Sequence, residues 1–593
     1  MTKIPEKDGV TEMAAARART QSGSIAAQAL KVPPAMFNAG LELMLRVSRA
    51  VQNVYNDTID RALGPTSMPV ASPCVRMGTE SRPFSRENSE PNTNELLEWT
   101  ATEAINQIRS GSITAEHYAS RLLERFRETK ELNAITWIDE SRVLEDARFV
   151  DGARSKGQPL GPLAGLPIII KDNINTVGFP TTAGTPALKG SYPKSNAPVV
   201  DILLNNGAIL FGKTNMDELG RGFTTSNPTF GFAKNPYDMN RVPGGGAGGT
   251  GAAISARITP AGLGSDTAGS ARIPAAFCGI VGLRPSTGGR RQRGWTLGSW
   301  TVTSWDEGIV PIAYAITAPG PMGRTVDDVA LLHSIVTGAM KETALPLRGA
   351  RIGVPRDYYW EDLDSEVARV SEVALAKLRD AGAILIEVDL RQWAQAVDPL
   401  FFLLGLMHSL KDLADFLKSN APDVSVEDVV ASLLSKDIRA RVQHEIDSPI
   451  PADKAHEARK LRLKLALQYE ELFRAREISA IAYPTVPVLA PLIRPQGDGP
   501  NDTIELNGKQ VSQFGISSRN TRLSSVVGTP SLTIPAGLSS SGLPVGLSFD
   551  GLTGSDNALL GLGLSLEAVL GRLPSPMLHR AAYPHNDDVF RPI

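Results

Sequence analysis

Cysteine is almost missing from this chain: Cys74 and Cys278 are the only two in 593 residues. That excludes a disulfide framework and a four-cysteine zinc site, and it fits a reducing compartment, so a cytoplasmic location is expected. An excess of one charge is missing too. The 61 basic and 63 acidic residues leave a formal net charge of −2, which favours neither nucleic acid nor an anionic membrane surface as a partner. No run of 18 or more apolar residues occurs, so no membrane insertion is expected. The opening stretch MTKIPEKDGVTEMAAARARTQSG carries acids and has no apolar core, and it does not read as a secretory signal. The seven histidines are scattered, with no H-E-x-x-H or similar ligand spacing. No metal and no cofactor are expected.

What is present is a 42% hydrophobic composition, enough for a large core and more than one usual domain length. Residues 1–33 read as weakly structured. Over 35–63, Leu41, Leu45, Val47, Val51 and Val54 fall near one helical stripe. This fits a helix packed on the main domain or used for self-association, and in the second case a homo-oligomer. Residues 64–93 are rich in Pro, Ser and Asn and read as a linker. The expected division is an N-terminal extension over 1–90 and one main domain over 91–593. In that domain, ELLEWTATEAINQIRSGSITAEHYASRLLERFRETK reads as two amphipathic helices broken at Ser110-Gly111. LPIII (166–170), AILFG (208–212), RIGVP (351–355) and AILIEV (383–388) read as buried strands, and VARVSEVALAKLRDAG (367–382) as a helix between two of them. Alternating units of this kind imply an α/β domain with a covered sheet.

One stretch needs its own argument. PGGGAGGTG (243–251) contains G-x-G-x-x-G on Gly244, Gly246 and Gly249. A dinucleotide fingerprint requires a strand leading in and an acid at a strand end about 20 residues later. Here the lead-in AKNPYDMNRVP reads as loop, Asp266 sits inside GLGSDTAGS, and no Lys-Ser or Lys-Thr follows the glycines. A phosphate cradle fails on that context. A plain linker fails as well, because AAISARITPAGLG continues with core character.

Three long segments stand together: GLPIIIKDNINTVGFPTTAGTPAL (165–188), GKTNMDELGRGFTTSNPTFGFAKNPYDMNRVPGGGAGGTGAA (212–253) and GLGSDTAGSARIPAAFCGIVGLRPS (262–286). On these motifs the chain resembles the amidase signature hydrolases, from about 95 to about 575. SARITPAGLGSD, GPMGRTVDDVALL (320–332) and FDGLTGSDNALLGLGLSLEAVLG (549–571) are most similar to its aryl-acetamide-type members. The resemblance implies an α/β/α sandwich with a twisted mixed sheet of about ten or more strands, covered by helices on both faces. It also implies hydrolysis of a small, aromatic or apolar carboxamide.

The resemblance assigns the nucleophile to Ser270 and the base to Lys171. Burial at a strand end lowers a lysine pKa, which a neutral base requires. Thr267, Ala268, Gly269 and Ser270 are implied as oxyanion-hole residues through their N–H groups. Asp266 and Arg272 match positions that hold the Ser270 loop. The family loop normally reads G-G-S-S-G-G-S/T, and its first serine relays the proton between lysine and nucleophile, 24 residues before the latter. In this chain that position is Gly246, and the next serine position is Ala247. Both relay hydroxyls are therefore missing, while Thr250 belongs to the following helix start. The sequence leaves open a slow or water-relayed hydrolase, a binding or assembly protein on the same scaffold, and a deliberately disabled variant. A tRNA-linked amidotransferase subunit is disfavoured because nothing basic enough for RNA contact is present. Trp295, Trp300 and Trp305 fit either an aromatic pocket or a surface anchor. Phe401, Phe402 and Met407 fit core packing better than a site cap, and His408 fits a structural role.

Overall fold

The computed structural model describes residues 93–578, apart from 288–294, 298–299, 303–306, 407–408 and 500. The extension over 1–90, its expected helix and linker, Trp305, Met407 and His408 lie outside the described residues.

Strand formation begins with the apolar runs. Pro167–Lys171 (β2, after Ile135–Trp137, β1) is buried at all five positions, because three consecutive isoleucines fill both faces of a covered sheet. The remaining strands of that sheet are Ile209–Thr214 (β3), Ala261–Asp266 (β4), Val281–Arg284 (β5), Ala318–Gly323 (β6), Arg351–Val354 (β7), Ile384–Glu387 (β8), Ala480–Pro484 (β9), Ser531–Leu538 (β10) and Pro544–Asp550 (β11). The eleven strands lie in the order β1-β3-β2-β4-β6-β5-β10-β11-β9-β7-β8. β2 runs parallel to β3 and β4, and β7 runs parallel to β8 and β9. The central pairs are antiparallel. The sheet is mixed, as the family resemblance implied, and all four strands expected from apolar runs are in it, but β8, expected to be buried, is the sheet edge and has Ile384 45% exposed.

Helices cover it. Ala101–Ser110 is capped by a Thr100–Glu103 box and stopped by left-handed Gly111, and Ala115–Glu128 follows with Thr114 as its N-cap. This is the expected helix pair, broken where the glycine permits the turn. Ser365–Asp380 links β7 to β8 in a strand–helix–strand unit. Between β8 and β9 the chain is helical from Arg391 to Arg476, in five segments with short breaks. In the first of these, Phe401 is buried while Phe402 is 41% exposed, so core packing applies to Phe401 alone. Two short helices, Gly248–Ser255 (α1) and Arg272–Cys278 (α2), lie buried beside β4. They approach closely because α1 is made mostly of small residues: a side chain at Gly251 would stand 2.9 Å from Pro274 Cβ of α2. Among the described residues, no helix is long and apolar enough to cross a membrane.

Candidate active site

The parallel strands β2, β3 and β4 end side by side, where an α/β sheet usually presents its chemistry. Lys171 is the last residue of β2, and its whole side chain is buried. Its Nζ donates to Ser265 Oγ at 2.9 Å, and Asn173 Nδ2 donates to the same oxygen at 3.1 Å. Lys213, on β3, is equally buried but differently served. It is ion-paired to Asp172 at 3.3 Å and donates to the carbonyls of Ile174 and Pro180. Lys171 has no carboxylate in contact. Burial therefore dominates and brings its pKa down to about 8, with the charges of Asp217 and Asp266 opposing the shift. Burial lowers the Lys213 pKa as well, but there the contact with Asp172 opposes the shift, a partner Lys171 lacks among the described residues.

β4 carries the chain to Asp266, and the next four residues form a tight loop ending at Ser270. Asp266 organises that loop. Its carboxylate accepts the Gly269 N–H at 2.8 Å and the Ala271 N–H at 3.2 Å, and the Arg272 guanidinium on both oxygens. Arg284 donates to its carbonyl at 2.6 Å and reaches one carboxylate oxygen at 3.3 Å. Burial opposes the charged form, yet the two guanidiniums and the N–H donor hold the carboxyl far below its ordinary range. Arg272 continues to Ser524, Ser525, Ser531 and the Thr521 carbonyl. The Ala268 carbonyl is tied back by the Thr521 hydroxyl at 2.5 Å, and the Thr267 hydroxyl meets that of Thr317 at 2.9 Å. Gly269 adopts φ 118°, which only glycine takes without strain. Its N–H is already committed to Asp266, which takes Gly269 out of the set of four N–H groups that the resemblance implied as oxyanion donors.

The glycine run closes the site. No strand leads into it: it is reached by the loop before α1, as the failed dinucleotide fingerprint required. Gly245 donates its N–H to the Phe223 carbonyl and Ala247 donates to the Ser270 carbonyl at 3.1 Å, so the run wraps the Ser270 loop. A Cβ at Gly245 would stand 2.5 Å from Pro274 Cδ, and one at Gly248 would stand 2.3 Å from Thr225 Oγ1. Gly246 differs. A Cβ there would point between Lys171 and Ser270, 2.9 Å from Lys171 Nζ and 3.1 Å from Ser270 Oγ, with the Gly220 carbonyl at 3.3 Å. Lys171 and Ser270 are thus no farther apart than those two distances end to end, a span one bridging hydroxyl or water covers. Ala247 turns away from this gap toward Gly264 and the small-residue contact of α1 and α2. Thr250 pairs with the Thr214 hydroxyl at 2.8 Å, as a helix residue on β3 and not a relay.

Sequence reasoning missed three neighbours: Ser265, Asn173 and Asp217. Ser265 was findable in principle, since β4 runs parallel to β2 and brings the end of GLGSD beside the end of LPIIIK.

The amidase family model matches residues 118–560. A mandelamide hydrolase of Pseudomonas putida is 35% identical over 499 residues, covering 81% of this chain and 93% of its own. An indoleacetamide hydrolase of Agrobacterium vitis is 32% identical over 471 residues, covering 79% of this chain and 96% of its own. A solved amidase structure superimposes with a TM-score of 0.68 at 29% identity, over 80% of this chain and all of that one. A matched span of this length, relatives covered almost end to end and a shared mixed sheet leave one conclusion: the chain belongs to the amidase signature family and is an amide hydrolase.

Proposed function

We propose that the chain hydrolyses small aryl-substituted carboxamides with Ser270 as nucleophile and Lys171 as base, the proton crossing the Gly246 gap through a water. Neutral Lys171 takes the Ser270 proton through that water as Oγ bonds to the carbonyl carbon. The N–H groups of Thr267, Ala268 and Ser270 stabilise the oxyanion. Collapse breaks the C–N bond, and the lysine ammonium returns its proton to the leaving amine by the same water. A second water then attacks the acyl-enzyme, releasing the acid and restoring the serine. The observation that carries this reading is the position of Gly246, whose missing side chain would have stood within 2.9 and 3.1 Å of the two groups. The names of two relatives, which concern mandelamide and indoleacetamide, support an aryl amide. The reading includes a free small-molecule substrate in the cytoplasm, no nucleic-acid partner and no cofactor.

The test is fluorophosphonate labelling followed by peptide mapping, beside ammonia release from phenylacetamide, mandelamide and indoleacetamide. Label on Ser270, lost in Ser270→Ala, together with slow turnover of at least one amide, is the expected result. A chain that neither labels nor turns over any amide, as wild type and as Gly246→Ser, overturns the assignment.

A further inference from the structure

The hydrolysis scheme leaves one carboxyl group beside Lys171 unused. Asp217 lies just beyond β3, three residues after Thr214, which pairs with Lys171 across the parallel strands. It is buried and is one of two acids whose charge acts on Lys171. The other, Asp266, is fully engaged by Arg272, Arg284 and two N–H groups. Asp217 is not. Among the described residues its Oδ2 has no hydrogen-bond partner, and its Oδ1 lies 3.4 Å from the Thr224 hydroxyl oxygen. The seat is tight: a Cβ at Gly222 would stand 2.3 Å from the carboxyl carbon.

Thr224 leads outward. Its hydroxyl oxygen also contacts Asp498 Oδ2 and accepts the Ser226 N–H at 3.2 Å. A hydroxyl has one proton to donate, and two carboxyl groups face this one. The second of them joins the chain only by carrying a proton of its own. Asp498 lines a cavity of about 390 Å³ with Ser226, Phe232, Leu434 and Gln496. Burial and then the Asp498 charge push Asp217 up to about 7, against the pull of Lys171, the Thr225 N–H and Arg441. Asp498 is itself raised by burial and by Asp502, against the hydrogen bond from Thr224 and the charge of Arg494. The inner acid of the pair thus titrates in the same range as Lys171.

We infer that Asp217 is a positioning residue that sets the charge of Lys171, and that Thr224 and Asp498 keep its proton in exchange with the cavity. The inference rests on Lys171 being the base of the proposed reaction. Ionised Asp217 favours the lysine ammonium, and protonated Asp217 favours the free amine. In the exchange, the Asp217 O–H proton passes to the Thr224 oxygen while the Thr224 proton passes to Asp498. One O–H bond breaks as the next forms, and the negative charge moves from Asp498 to Asp217. The charged groups facing this chain are Lys171 and Asp266 at the inner end, Arg441 with its partner Asp437 at the side, and Arg494 and Asp502 at the outer end. The lysine and the inner acid titrate as a coupled pair, so a pH profile reports the pair.

Two substitutions test this, because they have opposite signs. Asp217→Asn removes the charge that supports the ammonium, so the Lys171 transition moves to lower pH by roughly one unit. Asp498→Asn removes the charge that keeps Asp217 protonated. Asp217 is then more often ionised, and the Lys171 transition moves to higher pH. Two readouts are taken on the full chain: the ascending limb of kcat/KM against pH for an aryl acetamide, and the ¹³Cε shift of Lys171 in ¹³C-lysine protein, assigned by its loss in Lys171→Met. Opposite movement of the NMR transition in the two variants supports the inference. Movement in the same direction, or none, overturns it, and Asp498→Asn, at the cavity wall, keeps the test available should Asp217→Asn fail to fold. Opposite NMR shifts without turnover in any variant would sink the hydrolysis scheme and leave the electrostatic coupling standing. Turnover with stationary transitions would do the reverse.

Discussion

Restoring a serine at position 246 is the sharpest perturbation the site allows. The new Cβ would meet the ends of two side chains, Lys171 Nζ at 2.9 Å and Ser270 Oγ at 3.1 Å, with the Gly220 carbonyl at 3.3 Å. The lysine tip has to withdraw by a few tenths of an ångström, which a flexible chain end does at little cost. The added hydroxyl then lies between base and nucleophile without the entropy of holding a water there. Holding a bridging water costs up to about 2 kcal/mol, so replacing it lowers the barrier by up to that much, a factor of up to about 30 in rate. The Gly246→Ser variant is therefore expected to raise kcat on aryl acetamides by a factor within that range. Its fluorophosphonate labelling rate should rise in parallel and its KM should change little, because the new group acts on proton transfer and not on substrate binding. Steady-state ammonia release and time-resolved labelling measure both. A folded Gly246→Ser protein with wild-type kcat and wild-type labelling rate would refute the reasoning, since the gap would then not limit activation of Ser270. Gly248→Ser is the control: its Cβ would stand 2.3 Å from Thr225 Oγ1, so the same residue two positions on should lower stability and bring no gain in rate.

Other expectations follow from the same geometry. Lys171→Met should abolish turnover and yet stabilise the protein at pH 7. Burial holds the lysine near 8 against 10.5 in the unfolded chain, so the unfolded state binds the extra proton between those values, and wild-type stability rises with pH across that window. The difference between the two proteins, about 3 kcal/mol at pH 7, should shrink as pH approaches 10, as read by denaturant melts. Asp266→Asn should lower stability by about 3–5 kcal/mol, because it leaves two buried guanidiniums without their carboxylate. The native carboxyl is depressed, so its contribution is present above the unfolded pKa and is lost as pH falls; wild type and variant should converge in acid. Gly249→Ala should lower the thermal midpoint, since its Cβ would stand 2.5 Å from the carbonyls of both Ala134 and Asn215. Gly152→Ala, with open space around it, should not.

The strands at 166–170, 208–212 and 351–355 were legible because each is a short, mostly buried apolar run; 383–388 was legible as an apolar run although it forms the exposed sheet edge, and the GLPIIIK and GSDTAGS motifs marked where chemistry belongs. The partners of Lys171 were not legible, for a physical reason. Asp172 is its neighbour in sequence and looks like its counter-ion, but successive residues at a strand end point to opposite sides. Asp172 accordingly pairs with Lys213, on the next strand. Ser265 touches Lys171, and Asp217 acts on it by charge, only through the parallel register of β4 and β3 with β2, which is set by pairings across some 90 and 40 residues of chain. Among the helices between Arg391 and Arg476, two begin where Ser425 and Ser435 supply N-caps, a local signal that no apolar period carries.

The clamp on the Ser270 loop has a consequence for biosynthesis. Arg272 is held by Ser524, Ser525 and Ser531, some 250 residues downstream, and Thr521 fixes the Ala268 carbonyl. A ribosome exposes Ser270 when barely half the polypeptide has been made, long before those anchors exist. The loop geometry on which the proposed reaction depends therefore arrives only with the final strands, and fragments from interrupted translation carry Ser270 without the scaffold that shapes its loop.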